Sequence, residues 1–381
     1  MLKVLSLVPD YVEKPSGGLG EQYRNIRNHL IEHVDYFTVG YPEKNKIENY
    51  RGASAPFYFP HASLTTIMGQ SVYFLEALKF KQSFDLIHAF DWSTFYAGYL
   101  CKSLLNIPLI CTMQLSLEQL NKSGIYYCHD KNSIDGIHIN QLQVYLEELG
   151  LISADRVIHV SNYYESLFPD YKQKSSVVAN GIDIKQWKKK REPRLPGKNK
   201  LKFCYIGRSS PMKGLDIILN SEIPNNIDFY FVVSSKNAEE PYFSQIKKKA
   251  NGVNIFHIPG LYGQDKIDFL FSMDGVVMPS MHEPFGIVAL EALISENLFI
   301  TTASGGIQEI VDGIDYFKIQ SSQELTKAFE TIKDMSQDEM HRIKQTGKLR
   351  AQKYDWSIPS NMLLQIYNTT IKNWQTDQTH K

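Results

Sequence analysis

Residues 278–293, MPSMHEPFGIVALEAL, decide how the rest of the chain is read. The apolar run 275–278 (GVVM) leads in as a strand, a Pro-containing loop follows, and a small-residue helical pattern closes the stretch. Strand, loop and helix in that order are one repeat of a parallel α/β sheet, where the loop at the carboxyl end of the strand carries ligand-binding side chains. The stretch holds two carboxylates, Glu283 and Glu291, with seven residues between them. Glu283 is expected in the loop and Glu291 about two helical turns deeper, both facing one cleft.

Downstream, Leu298–Thr301 reads as a strand and Ala303-Ser304-Gly305-Gly306 as a Gly-rich turn before the helix IQEIV. Paired glycines let a ligand approach the backbone closely. Upstream, the strand LKFCYIG (201–207) runs into Arg208-Ser-Ser-Pro-Met-Lys213-Gly214 and the helix LDIILN. An Arg fork and a Lys point charge in a strand-to-helix turn suit a diphosphate, although two surface cations also meet by chance. Strands at 229–234 and 253–258 alternate with helices at 241–250 and 266–272. Beyond the second Gly-rich turn come one helix over 323–353 and a final helix over 359–374, expected to return to the first domain.

The first half has the same alternation, with strands at 3–8, 34–39, 84–90, 107–113, 155–160 and 175–179 and helices between them, including one at 66–82. The first strand is followed by Ser16-Gly17-Gly18-Leu19-Gly20 and a helical pattern, which is either a tight turn or a phosphate cradle at a helix N-terminus. The third strand ends in His88-Ala-Phe-Asp91-Trp92-Ser93, with Ser93 placed to cap the next helix. His88 and Asp91 are therefore site candidates, or else a core histidine and a cap. Strand 107–113 leads to Gln114, and Ser161-Asn162 caps the helix after the fifth strand. The basic run KQWKKKREPRLPGKNK (185–200) has no apolar periodicity and reads as a solvated linker. The boundaries expected are 1–184, a linker at 185–200, 201–358, and a C-terminal helix at 359–381.

At 381 residues two domains are expected. With Lys+Arg 41 against Asp+Glu 41 the chain is neutral, which gives no footing for a nucleic-acid partner. An aromatic share of 12% fits carbohydrate stacking or plain core, core being the commoner use. Cys101, Cys111, Cys128 and Cys204 form no CxxC pair and read as reduced residues of a cytoplasmic protein. LKVLSLV at the start is a strand rather than a signal peptide, and no run is long enough to span a membrane. The basic run offers at most weak peripheral contact with an anionic membrane surface.

GGLG, NGID (180–183), GRSSPMKG, EPFGIVALE, SGGIQEIVDG and YDW (354–356) resemble, in this order, the retaining glycosyltransferases of family 4, relatives of glycogen, starch and sucrose synthases. The resemblance implies the GT-B fold, two Rossmann-like domains facing a central cleft. It implies a metal-independent hexosyl transfer from a nucleotide-diphosphate sugar, most readily a UDP-sugar, to a hydroxyl acceptor, with no cofactor. Arg208 and Lys213 would hold the diphosphate, Glu283 the hydroxyls of the transferred sugar, and Glu291 the ribose. Gly17 and Gly18 would cover the phosphates from the first domain, and backbone amides near Phe285, Gly286, Gly305 and Gly306 would complete the cradle. No Asp-x-Asp motif for Mg²⁺ or Mn²⁺ is present in the sequence.

His88-Ala-Phe-Asp91-Trp92 resembles the HAHDW segment of glycogen and starch synthases with Phe90 in place of the second His. Gln114 stands where the family usually has a His contacting the reacting sugar. Gln cannot take a proton, so the acceptor proton would pass to a leaving-phosphate oxygen. Three alternatives stand beside this reading: an acid/base pair hydrolysing a glycosidic bond, an α-glucan synthase, and a degenerate nucleotide-binding scaffold. The acceptor is a small molecule, a lipid carrier, a polysaccharide or a protein, recognised by the loops near 40–60 and 115–135.

Overall fold

The computed structural model describes residues 1–13, 17–43, 48–53, 62–124, 134–233 and 242–379. They fall into two compact units, 1–180 with 356–381, and 181–355. Cys128 and much of the expected acceptor loops, 44–47, 54–61 and 125–133, lie outside the described residues.

In chain order the first unit contains β1 (Leu2–Leu7), α1 (Gly18–His29), β2 (Val34–Gly40), β3 (Tyr50–Gly52), α2 (Ala62–Ala77), β4 (Leu86–Phe90) and α3 (Trp92–Leu105). It continues with β5 (Leu109–Met113), α4 (Leu117–Lys122), α5 (Ile134–Ser153), β6 (Arg156–His159), α6 (Asn162–Ser166) and β7 (Ser175–Val177). The strands pair in parallel in the order β3-β2-β1-β4-β5-β6-β7. β4 (LIHAF) and β5 (LICTM) are buried at every position, as expected where helices cover both faces of a parallel sheet.

The second unit contains β8 (Leu201–Ile206), α7 (Leu215–Leu219), β9 (Ile227–Val232), α8 (Tyr242–Lys249), β10 (Ile255–Ile258), α9 (Gly263–Leu270) and β11 (Gly275–Met278). Then follow α10 (Ile287–Ile294), β12 (Leu298–Thr301), α11 (Ile307–Val311), β13 (Phe317–Lys318), α12 (Ser322–Lys333) and α13 (Gln337–Ala351). Its parallel sheet has the order β10-β9-β8-β11-β12-β13. Each sheet thus has a central first strand and a point, β1/β4 or β8/β11, where the winding reverses; ligand crevices form at such points, beyond the carboxyl ends of the strands.

The chain returns to the first unit through α14 (Ser357–Thr379). Trp356, Leu363 and Tyr367 are buried in one core with Tyr23, Tyr36, Phe90 and Ile110. His88 lies in the middle of this core and is fully buried. Its Nδ1 meets the Tyr367 hydroxyl at 2.6 Å and its Nε2 the Thr112 hydroxyl at 2.7 Å, while the ring stacks on Phe90 at 3.8 Å. The structure therefore corrects the sequence expectation for this residue: both ring nitrogens are engaged inside the core, so His88 is an anchor for α14 and not a reacting group.

Burial pushes the His88 imidazole down to about 3 from 6.5. The unfolded chain takes up this proton below pH 6.5 and the folded chain does not, so stability is complete above that pH and falls as pH drops toward 3, by up to about 1.4 kcal/mol per unit. We expect His88→Phe to cost about 1–3 kcal/mol at neutral pH, because the Thr112 and Tyr367 hydroxyls lose their partner. The same variant should show a shallower acid limb in urea denaturation between pH 6 and 4. His159, pushed down to about 4 by burial, adds slope of the same sign. An unchanged limb would refute this role.

Five local expectations change. The helix expected over 323–353 is two helices, because Ser336 caps α13 by accepting from the Glu339 N–H at 3.2 Å. Ser93 lies inside α3, whose N-cap position is Asp91. The helix expected over 66–82 ends at Ala77, where Phe80 and Phe84 turn in against Phe37. The basic run 185–200 is no free linker: Lys190 N–H donates to Asp268 at 2.7 Å, Trp187 to Ser295 at 2.7 Å and Asn199 to Asp228, all within the second unit. Trp356, expected in the second domain, belongs to the first unit.

Candidate active site

In the second unit, three loops follow the adjacent strands β8, β11 and β12. The first is the clamp turn, Arg208 to Gly214, closed by a Lys213 N–H to Ser210 carbonyl bond at 3.0 Å. Gly214 has φ +63°, and a Cβ there would lie 1.9 Å from the Pro279 carbonyl oxygen, so this turn rests directly on the loop after β11. The Met281 N–H donates to the Met212 carbonyl at 2.9 Å, fastening the same two loops a second time. The third loop joins them through Ser304, whose hydroxyl donates to the Met281 carbonyl at 2.7 Å, and through Gly306, whose N–H donates to the Glu283 carbonyl at 2.9 Å. A Cβ on Gly306 would sit 2.2 Å from the Pro284 carbonyl oxygen, so glycine there sets the spacing between the second and third loops.

At the centre of the stack the Lys213 ammonium meets Glu283 Oε2 at 2.7 Å, and Ser280 donates to the same oxygen at 3.2 Å. Glu283 is buried, so this cation and anion are held in a desolvated place where removing either leaves the other uncompensated. Arg208 heads the clamp turn, exposed, and among the described residues its guanidinium has no ion-pair partner. The neighbouring His282 is also buried, and burial holds its imidazole below the ordinary value.

Phe285 is buried against Tyr354, ring centroids 5.9 Å apart, so only its backbone can face a ligand. Gly286, at φ +102°, precedes α10 without a side-chain cap, which leaves the first amides of that helix unclaimed by a capping side chain. Gly305 has φ +64° and stands beside Gly306 before α11. Glu291, in α10, is buried and paired with Lys266 of α9, whose ammonium also lies 5.7 Å from the Trp187 ring centroid. Each carboxylate of the opening stretch thus has its own lysine.

In the first unit, α1 starts at Gly18 with Gly17 at its N-cap, exposed, and a Cβ on Gly17 would meet nothing within 4 Å. Asp10, beyond β1, accepts from the Gly20 N–H at 3.1 Å and so places a carboxylate against the start of α1. Asp91, beyond β4, has φ 67° and ψ 156°, a region populated almost only by glycine, and its Oδ1 accepts from the Leu115 N–H at 3.0 Å. Gln114, beyond β5, donates through Nε2 to Gln22 of α1. The three strand ends of this unit are therefore also joined side chain to loop.

The structure joins Lys213 to Glu283, sets Gly306 beside them, and ties Asp91 and Gln114 to one loop, while His88 is withdrawn into the core. Sequence reasoning missed Asp10, Gln22, Lys266, His282 and Glu147 of α5, which accepts from the Leu117 N–H at 2.8 Å. Asp10 had a signal, an acid at the end of a parallel strand. Lys266 and Glu147 had none, since their partners are 25 and 31 residues away.

Two family models match the chain: "Glycosyltransferase Family 4" over residues 16–186 and "Glycosyl transferases group 1" over residues 186–350. The uncharacterised glycosyltransferase YqgM of Bacillus subtilis is 26% identical over 98% of this chain and 99% of its own. Sucrose-phosphate synthase from Thermosynechococcus elongatus superposes with a TM-score of 0.78 at 18% identity, covering 98% of this chain and 100% of that one. Anabaena HepE, in complex with UDP-glucose, gives 0.71 at 16% identity over 97% and 100%. The two family matches and the doubly wound parallel sheets together mark a glycosyltransferase of the GT-B fold. The chain belongs to the glycosyltransferases of the family 4 type.

Proposed function

We propose that the enzyme transfers a hexosyl unit, with retention and without a metal, from a UDP-sugar to a hydroxyl acceptor. The observation that carries this is the buried Lys213–Glu283 pair under the Gly-rich turn. It puts a cation suited to a diphosphate beside a carboxylate suited to vicinal hydroxyls. UDP-glucose is the first donor to test, because a structural neighbour binds it.

The bond from the sugar anomeric carbon to the diphosphate oxygen breaks, and negative charge grows on the departing phosphate. Lys213, Arg208 and the uncapped start of α10 meet that charge. Glu283 accepts from the sugar hydroxyls, and Glu291 exchanges Lys266 for the ribose hydroxyls. The acceptor oxygen bonds to the anomeric carbon on the face the phosphate leaves, and its proton passes to a phosphate oxygen, since Gln114 cannot take one. By the resemblance Gly17 and Gly18 cover the phosphates, and the exposed Gly17, whose Cβ would meet nothing within 4 Å, leaves room for that contact. Buried Cys101, Cys111 and Cys204 are free thiols and fit a cytoplasmic enzyme. Among the described residues no helix is long and apolar enough to cross a membrane.

Thermal-shift titration with UDP-glucose, ADP-glucose and related donors tests the reading. A donor at 100 times its Kd should stabilise the protein by about 2.7 kcal/mol. Proton NMR of the product should show the donor's anomeric configuration. An inverted product, or no stabilisation by any nucleotide sugar, would refute the proposal.

A further inference from the structure

The segment that carries Gln114 is held in an unusual way. Three successive backbone amides beyond it are each fixed by a side chain from a different element. The Leu115 N–H donates to Asp91 Oδ1 at 3.0 Å, the Ser116 N–H to the Tyr164 hydroxyl at 2.5 Å, and the Leu117 N–H to Glu147 Oε2 at 2.8 Å. The Ser116 hydroxyl meets the other Glu147 oxygen and accepts from the Gln119 N–H at 3.2 Å as the cap of α4. Asp91 stands at the start of α3, Glu147 in α5 and Tyr164 in α6.

Such amides at a helix start are the usual place for an anion. Here all three are turned inward and filled by the protein, and the half-buried Gln114 just before them is held by Gln22 of α1. The arrangement is costly. Glu147 is 1% exposed, its charged neighbours Asp91 and Glu118 are both acidic, and burial raises its carboxyl to about 8. Asp91 stores backbone strain to place its carboxylate. Neither expense is needed to pack a sheet, because apolar side chains of similar volume fill such positions at lower cost. What the cost secures is a segment fixed at three consecutive points.

We propose that Glu147 is a positioning residue for sugar transfer: with Tyr164 and Asp91 it fixes the segment that presents Gln114 to the reacting sugar. The inference rests on the reading that Gln114 faces that sugar. Its partner Gln22 on α1 completes the placement. A reacting group displaced by about 1 Å commonly costs about 10²-fold in rate, so loosening this segment should appear in kcat.

The test measures UDP release on hydrolysis of UDP-glucose, with water taking the glucosyl unit, by the full chain carrying Glu147→Ala, Glu147→Gln, Ser116→Ala, Gln114→Ala, or Gln114→Ala with Glu147→Ala. Glu147→Ala should lower kcat by about 10–100-fold with the KM for UDP-glucose within about twofold, because the donor's charged contacts are assigned to the second unit. Glu147→Gln keeps an oxygen acceptor for the Leu117 N–H and should recover most of the rate. The double variant should be no slower than Gln114→Ala alone. Multiplying effects in the double variant, or a full kcat in folded Glu147→Ala, overturns the proposal. Should Glu147→Ala not fold, Ser116→Ala carries the test: a lower kcat at unchanged KM supports it and an unchanged kcat overturns it. A fast Gln114→Ala sinks the role of Gln114 and this inference with it; a slow Gln114→Ala with fast Glu147→Ala and Ser116→Ala sinks the positioning alone.

Discussion

Lys213→Ala should slow transfer by about 10²–10³-fold, the usual loss when one fixed donor to a developing oxyanion is removed. The variant should remain folded, because the loop it leaves is still held by the Met281–Met212 and Gly306–Glu283 backbone bonds. Its side effect falls on Glu283, which is left with Ser280 and no cation. For that reason Glu283→Gln with Lys213→Ala should be more stable than Lys213→Ala alone, while being no more active. Glu283→Ala should lose rate by a similar factor through the sugar rather than the phosphate, and should still bind UDP. Steady-state kinetics and UDP calorimetry separate these outcomes. Rates near wild type in both single variants would remove the pair from the mechanism.

Gly214→Ala should be nearly as damaging and by a different route. The added methyl group meets a backbone oxygen 1.9 Å away, which cannot rotate aside as a side-chain tip can. The left-handed backbone adds about 1–2 kcal/mol. Relief requires the Pro279 to Glu283 loop to move, so we expect a loss of roughly 3 kcal/mol or more in stability, as for other overpacked sites, together with most of the activity. Gly313→Ala is the control: φ is +74°, yet a Cβ there meets nothing within 4 Å. It should cost only the backbone strain and leave kcat alone. Equal melting-temperature losses in the two variants would show that the contact with Pro279 is unimportant.

The alternation of strands and helices was legible because parallel strands are apolar runs and the loops between them are marked by Gly, Pro and Ser. The clamp turn and Glu283 were legible for the same reason, each being polar residues at a strand end. His88 was misread because a strand buried on both faces has no alternation from which to tell an inward from an outward side chain. Ser93 was placed as the cap of α3 with Asp91 only as an alternative, because the Asp91 backbone lies where only glycine is usually comfortable and no local rule would place an aspartate there. Lys266 and Glu147 were missed because the groups they serve are distant in sequence. The basic run at 185–200 was read by composition, whereas its backbone amides and Trp187 find fixed partners on α9 and at the residue that ends α10.

The return of α14 bears on how the chain is made. Synthesis proceeds from the N-terminus, and domains ordinarily fold as they emerge. The first unit cannot do so fully, because Trp356, Leu363 and Tyr367 reach its core only after the whole second unit has been produced. Until then His88 lacks its Tyr367 partner in the interior. A helix translated after the second unit therefore seals the unit translated before it, and a ribosome that stops at residue 355 should release a product that proteases recognise as unfinished.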